Sequence, residues 1–212
     1  TGVAPTFSAS GLDGPSAHAV WLRVTDDAGE SHIDEAIVDV TNVAPAVGIS
    51  GPATAVRGQL VTLTLSATDP SAEDQSSGFT FAVDWDNNGS VDETVSGPTG
   101  TQVSRVFIEQ GAVTVHVAAT DKDGGSGSAT YAMQIDAIAL QDDSCHGGEA
   151  ALVVGGTTGP DRIRISPDGN SGALFVTVNG STHGPFNPTG RIVVYGQQGD
   201  DDIEVAGGID LS

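Results

Sequence analysis

The sequence predicts an all-β chain, and three observations carry that prediction. Apolar and polar residues alternate with the two-residue period of half-buried strands. Clusters of Gly, Asn, Asp and Ser separate the alternating runs, as turns do. No segment keeps a 3.6-residue period beyond one turn.

Along the chain, the first alternating run lies in AVWLRVTDDAGESHIDEAIVDV (residues 19–40). In VTLTLSA (61–67), Val61, Leu63, Leu65 and Ala67 share one face and Thr62, Thr64 and Ser66 the other. FTFAVDW (79–85) sets Trp85 toward a core, which puts Asp84 and Asp86 outward together. VSRVF (103–107) follows, then AVTVHVAAT (112–120), where Val113, Val115, Val117 and Ala119 oppose Thr114 and His116. TYAMQI (130–135) ends this pattern. Beyond the polar, Gly-rich QDDSCHGGEA (141–150) come two more strands, ALFVTVN (173–179) and RIVVY (191–195).

Two internal repeats organise these runs. Residues 19–40 align without gaps on the segment that ends at Ile135, at a shift of 95 residues that carries Val40 onto Ile135. Val20 then falls on Val115, Thr25 on Thr120, Asp26 on Asp121, Gly29 on Gly124 and Ser31 on Ser126. A repeat of roughly 90 to 100 residues made of short strands has the size of a β-sandwich module. The second repeat is G-x-x-G-x-D-x-I, in which Gly156, Gly159, Asp161 and Ile163 correspond to Gly196, Gly199, Asp201 and Ile203 at a shift of 40. The expected division is 1–43, the C-terminal part of one module; 44–137, a complete module; 138–150, a linker; and 151–212, a β-rich segment. Pro45 stiffens the first junction.

The 28 acidic residues against 7 basic ones give a formal charge of −21. That balance argues against nucleic acid or an anionic membrane as partner, since both select Lys/Arg clusters. No run of 18 apolar residues is present to span a bilayer. With Cys145 alone, no intrachain disulfide forms, so stability is expected to come from burial, to which any bound ion would add. The opening TGVAPTFSAS has neither a charged nor an apolar leader region and no initiator Met, and is expected to be the start of a piece of a longer chain.

The complete module resembles a PKD-type, immunoglobulin-like domain. The resemblance rests on SATDP (66–70), VDWDNNGSVDE (83–93) and GAVTVHVAATDKDGG (111–125), and it extends to 1–43 as a partial copy. Where that family carries W-D-F-G-D-G, this chain has Trp85-Asp86-Asn87-Asn88-Gly89. The resemblance implies a β-sandwich that serves as a spacer or binding unit in large bacterial surface and secreted proteins. The terminal segment resembles the start of a haemolysin-type (RTX-like) β-roll, whose nonapeptide is G-G-x-G-x-D-x-U-x. Here Gln197 replaces the second Gly, and the copies stand 40 residues apart. One motif per strand pair is expected to leave half of a calcium site.

DWDNNGSVDE (84–93) is the stretch closest to a metal loop. Asp84, Asp86, Asn88, Ser90 and Asp92 supply oxygen at alternate positions, with Gly89 at the sharp turn, as D-x-[DN]-x-[DN]-G loops do for calcium. The twelfth position is Val95 in place of a bidentate Glu, so a sixth ligand would come from Asp69, Glu73, Asp123 or water. That deficit implies a Kd of about 10⁻⁴ to 10⁻³ M. Asn-Asn-Gly is equally a hairpin turn, and the residues alone leave both readings open. Asp84→Ala with Asp86→Ala separates them: an ion loop loses melting temperature in calcium far more than in chelator, a plain turn equally in both. Asp121 and Asp123 in the Gly-rich turn, and Asp161 and Asp201 in the shorter repeat, are weaker candidate calcium ligands, for which turn-shaping is the favoured reading.

Catalytic signatures are lacking: no H-E-x-x-H, G-x-S-x-G or P-loop occurs, and His18, His32, His116, His146 and His183 are scattered. Few aromatics exist to line a sugar cleft between paired carboxylates. The expectation is a non-catalytic structural or adhesive fragment of a large secreted or cell-surface protein, with calcium stiffening its loops. Its expected partners are neighbouring modules of the same chain and a cell-surface polysaccharide or protein, with no membrane insertion. The alternative is a polysaccharide- or protein-binding module beside a secreted enzyme, for which Trp21, expected outward, is the one hint.

Overall fold

The computed structural model describes residues 5–169, 172–209 and 211. In chain order the elements are β1 (Ser16–Thr25), β2 (Ser31–Val40), β3 (Ala46–Ser50), β4 (Thr54–Val56), β5 (Leu60–Thr68), α1 (Ala72–Ser77), β6 (Phe79–Asp84) and β7 (Glu93–Gly97). They continue with β8 (Thr101–Val106), β9 (Gly111–Thr120), β10 (Ser126–Asp136), β11 (Ile138–Asp142), β12 (Ala150–Gly155), β13 (Arg162–Pro167), β14 (Leu174–Val178), β15 (Ser181–Phe186), β16 (Ile192–Tyr195) and β17 (Asp202–Val205). Two compact units result. One takes in the residues up to Ile49 with 64–101 and 115–130, the other 50–63, 102–114 and the residues from Tyr131 on.

A five-stranded sheet has the order β4-β10-β9-β6-β7 and a three-stranded sheet the order β3-β5-β8. Each buries one face. Val61, Leu63, Leu65 and Ala67 of β5, Phe79, Phe81 and Val83 of β6, and Val115, Val117 and Ala119 of β9 are buried, while the residues between them are not all so. The buried side chains are those that the alternation of the sequence assigns to one face. This is the all-β, immunoglobulin-like sandwich pattern. Trp85, just past β6, is buried as expected.

The longer repeat is visible in the backbone. Displaced by 95 residues, β1 (Ser16–Thr25) lands on β9 (Gly111–Thr120), and the start of β2 at Ser31 lands on that of β10 at Ser126. The connecting turns are the same turn. Asp26 Oδ1 accepts from Ala28 and Glu30 N–H, and Asp121 Oδ1 accepts from Asp123 and Gly125 N–H. Gly29 and Gly124 take φ of +89° and +87° at equivalent positions. Burial differs. Leu22 and Val24 are 47% and 62% exposed, whereas their repeat mates Val117 and Ala119 are fully buried. The β1–β2 pair is a two-stranded sheet by itself.

The shorter repeat builds something the sequence reading did not foresee. β12 runs parallel to β16 in the register Leu152↔Ile192, and β13 runs parallel to β17 in the register Ile163↔Ile203. The two G-x-x-G-x-D-x-I copies therefore stack directly, one coil on the next, and do not stand isolated. The 40-residue spacing arises because the β14–β15 hairpin is inserted between them, with β14 antiparallel to β13. Leu152, Val154, Ile163, Ile165, Leu174, Val176 and Val178 form the core of this stack. Residues 138–142, within the stretch expected to be a linker, form β11, which pairs antiparallel with β12. α1 is too short for periodicity to reveal. Ser71 caps it, its side chain accepting from Asp74 N–H at 3.2 Å.

Candidate cation sites

The Asp84 loop brings three of its predicted ligands together: Asp84, Asp86 and Asp92 each place an oxygen within 4.8 Å of the others. Asp84 is not outward, as alternation would have it, but 4% exposed. The reason is local: the loop folds its own backbone over the carboxylate. Asp84 Oδ1 accepts from Asn88 N–H (3.1 Å) and Oδ2 from Gly89 N–H (2.8 Å). Asp92 Oδ2 accepts from Trp85 N–H and Asn88 Oδ1 from Ser90 N–H, both at 2.8 Å. Asp86 Oδ1 accepts from Asn88 N–H at 3.3 Å. Burial pushes the Asp84 carboxyl up, but the Gly89 and Asn88 amides outweigh it and hold the group below the usual carboxylate range. The donor set of this loop thus serves its own turn, with Asn87 and Gly89 at φ +55° and +88°.

A second cluster gathers residues distant in sequence. Asp69 follows β5, Asp74 lies on α1, and Asp121 opens the β9–β10 turn; one oxygen from each lies within 4.8 Å of the others. Asp13, Asp74 and Asp123 form an adjoining triad by the same measure. Asp74 is fully buried and shared by both. Lys122 serves the Asp13 side: its ammonium lies 2.5 Å from Asp13 Oδ2 and 3.6 Å from Asp74 Oδ1, and it also contacts Asp123. Asp121 is fixed by Asn42, whose Nδ2 donates to both carboxylate oxygens at 3.2 and 3.0 Å. Both oxygens of Asp74, and Oδ2 of Asp69, are buried without a hydrogen-bond partner.

Electrostatics divide this cluster. The Lys122 ammonium, then the Ser71 hydroxyl, hold Asp13 below the ordinary carboxylate range. Burial first, then the negative charges of Asp13, Asp121 and Asp69, push Asp74 up against the pull of Lys122. A buried carboxylate with no donors is relieved by a proton or by a cation. The all-oxygen donor set suits a hard divalent ion. Of the residues singled out from sequence, Asp121 and Asp123 fall here, in different triads, and Asp69 beside Asp121. Asp74 and Asp13 were missed. Ser71-x-x-Asp74 has the form of a helix start, which would have signalled α1 but not the burial of its carboxylate.

Asp161 and Asp201 shape the coil turns. Asp161 is buried and accepts from Thr157 N–H (2.6 Å), the Thr157 hydroxyl (3.0 Å) and Asn179 Nδ2 (2.6 Å). Asp201 Oδ1 accepts from the N–H of Asp161 at 3.0 Å, and Asp202 N–H donates to the Asp161 carbonyl at 2.8 Å. Each coil is thereby bonded to the other through the repeat aspartate.

No protein-family model and no curated protein matches the chain. Among solved structures it is similar to the PKD domain of an M14-like peptidase from Thermoplasmatales archaeon SCGC AB-540-F20, at 22% identity and a TM-score of 0.37, covering 45% of this chain and 98% of that one. It is similar to the PKD1 domain of Vibrio anguillarum Epp at 22% identity and a TM-score of 0.33, covering 45% and 96%. The CARDB domain of the PF1109 protein from Pyrococcus furiosus, solved in complex with di-metal ions, matches at 14% identity and a TM-score of 0.34, covering 45% and 97%.

Proposed function

We propose that this chain is a non-catalytic structural or adhesive part of a large extracellular multidomain protein, in which calcium held by Asp69, Asp74 and Asp121 rigidifies a loop cluster. The observation that carries the reading is the set of converging carboxylates with three buried oxygens that have no hydrogen-bond partner, against which Lys122 sets a single ammonium 3.6 Å from one of them. A cation there ties the end of β5, α1 and the β9–β10 turn together, and Lys122 links the same cluster to Asp13 of the segment before β1. The formal charge of −21 and the module-sized repeat support an acidic extracellular spacer. Its partners are then the neighbouring modules.

Titration calorimetry with calcium should show one site with a Kd of about 10⁻⁴ to 10⁻³ M, the range of extracellular modules. Asp69→Asn should remove it. Asp84→Ala with Asp86→Ala should leave it in place and cost the same melting temperature in calcium and in chelator, because that loop's oxygens serve its own backbone. Absence of calcium heat far above that concentration range overturns the reading. Binding lost with the Asp84 loop in place of Asp69 moves the ion to the loop.

One observation favours the second reading, a polysaccharide-binding accessory module. Trp21 is 64% exposed on the same face of the β1–β2 pair as Ile33 and Ile37. Glycan retention that Trp21→Ala abolishes would establish it.

A further inference from the structure

The loop between β11 and β12, residues 143–149, takes no part in the calcium cluster. Its backbone makes two successive turns. His146 N–H donates to the Asp143 carbonyl (3.1 Å), Glu149 N–H donates to the His146 carbonyl (3.2 Å), and Asp143 N–H closes the hairpin on the Glu149 carbonyl (2.8 Å). Gly148, at φ +91°, holds the corner of the second turn that requires a positive φ. Closures between residues three apart bring side chains at that spacing onto one side. Asp143-x-x-His146-x-x-Glu149 therefore converges, and a ligand atom of each lies within 4.8 Å of the others.

Two independent features show that the convergence points at something. The Asp143 side chain is wholly buried. Its Oδ1 is occupied, accepting from Cys145 N–H at 2.8 Å and lying 3.2 Å from Arg191 Nε. Its Oδ2 is buried with no hydrogen-bond partner, 3.6 Å from His146 Nδ1. A turn cap paired with an arginine accounts for Oδ1, while buried Oδ2 is left with the His146 imidazole beside it and no hydrogen bond. The second feature is Gly190: a Cβ there would stand 2.9 Å from Asp143 Oδ2 and 3.3 Å from Glu149 Oε2. Glycine keeps clear the space that both carboxylates face.

We propose that Asp143, His146 and Glu149 form a binding site for a borderline divalent metal ion, zinc foremost, through His146 Nδ1, Asp143 Oδ2 and a Glu149 carboxylate oxygen. One imidazole with two carboxylates is a donor set for zinc and its transition-metal neighbours, whereas calcium takes oxygen alone. Three protein ligands leave a fourth position for water or an incoming group. Arg191 Nε lies 3.2 Å from Oδ1 and orients the carboxylate from that oxygen.

The test is zinc titration of protein free of any histidine tag, in excess calcium, for the parent, His146→Ala, Cys145→Ala and Asp74→Asn. The parent should bind one zinc ion. His146→Ala, at an exposed position, should melt like the parent without metal and bind zinc about tenfold more weakly or worse. Cys145→Ala and Asp74→Asn should bind as the parent does, the latter separating this site from the calcium cluster. Cobalt should give ligand-field bands without a thiolate charge-transfer band. A parent that binds no zinc, or binding that survives His146→Ala or disappears with Cys145→Ala, overturns the proposal.

Discussion

In chelator at neutral pH, Asp74→Asn should melt above the parent chain, and calcium should no longer raise its melting temperature. Asp74 is fully buried with neither oxygen in a hydrogen bond, and the Lys122 ammonium 3.6 Å from Oδ1 offsets its charge only in part, so the parent carries a desolvation cost that a divalent cation would lower. An asparagine amide at that position donates to the surrounding carboxylates instead of repelling them. For the parent, calcium at about 100 times its Kd contributes about 2.7 kcal/mol, or about 5 to 10 °C for a chain of this size. The sign of the pH dependence follows from the same group. Its folded pKa is raised, so its contribution is present below the ordinary value of 3.8 and is lost as pH rises through the raised value. In chelator the parent therefore loses this contribution on going from acid toward neutral pH, and Asp74→Asn does not. Asp13 and Asp84, both lowered, act in the opposite sense: their contribution is present above 3.8 and lost as pH falls through the lowered values. Differential scanning calorimetry across pH, with and without calcium, measures all of this. A calcium increment that persists in Asp74→Asn would place the ion elsewhere.

Phe81→Ala should cost about 3 to 5 kcal/mol, the range for emptying a buried aromatic position. Phe81 is the largest of the fully buried side chains. It lies mid-strand in β6, paired with Val95 of β7 on one side and Ala119 of β9 on the other. Its ring stands 6.3 Å from that of Phe79, tilted by 59°. Little can collapse into the gap, because both flanking strands are held by their ladders. Leu22→Ala supplies the contrast. Its repeat mate Val117 is fully buried, but Leu22 is itself 47% exposed, so its loss should stay within about 0.5 kcal/mol. Urea denaturation of the two variants checks both values. Comparable losses would mean that the β1–β2 face is covered in solution.

The fold was legible wherever a strand had one buried face. Val61, Leu63, Leu65 and Ala67 announced β5 because each of them touches the core and none of their neighbours does so fully. β15 was not legible: its STHGPF carries Gly and Pro, and among its residues only Phe186 is even partly buried, so no period survives. β11, the five residues IALQD, reads as linker because so short a run shows no clear alternation and leads straight into a polar, Gly-rich stretch. The Asp84 loop could be read as a cluster because its members lie within nine residues and a single turn gathers them. The Asp69, Asp74 and Asp121 cluster could not, since it exists only once β5, α1 and β9 are in place. Burial of Asp84 was misread because alternation describes strands, and β6 ends at that residue. The stacking of the two glycine-aspartate copies was masked by the β14–β15 insertion, which stretched the interval without disturbing the register.

That register has a wider consequence. Asp201 completes the hydrogen bonding of Asp161, and Asp202 reaches the same residue's carbonyl, so each rung of the stack finishes the one beneath it. Stability in such an arrangement is a nearest-neighbour sum. The excursion of β14 and β15 is tied into that ladder: Leu174, Val176 and Val178 of β14 lie in its core, and Asn179 Nδ2 donates to Asp161 Oδ1, so only the β15 side of the hairpin is free to vary in length without loosening the rungs.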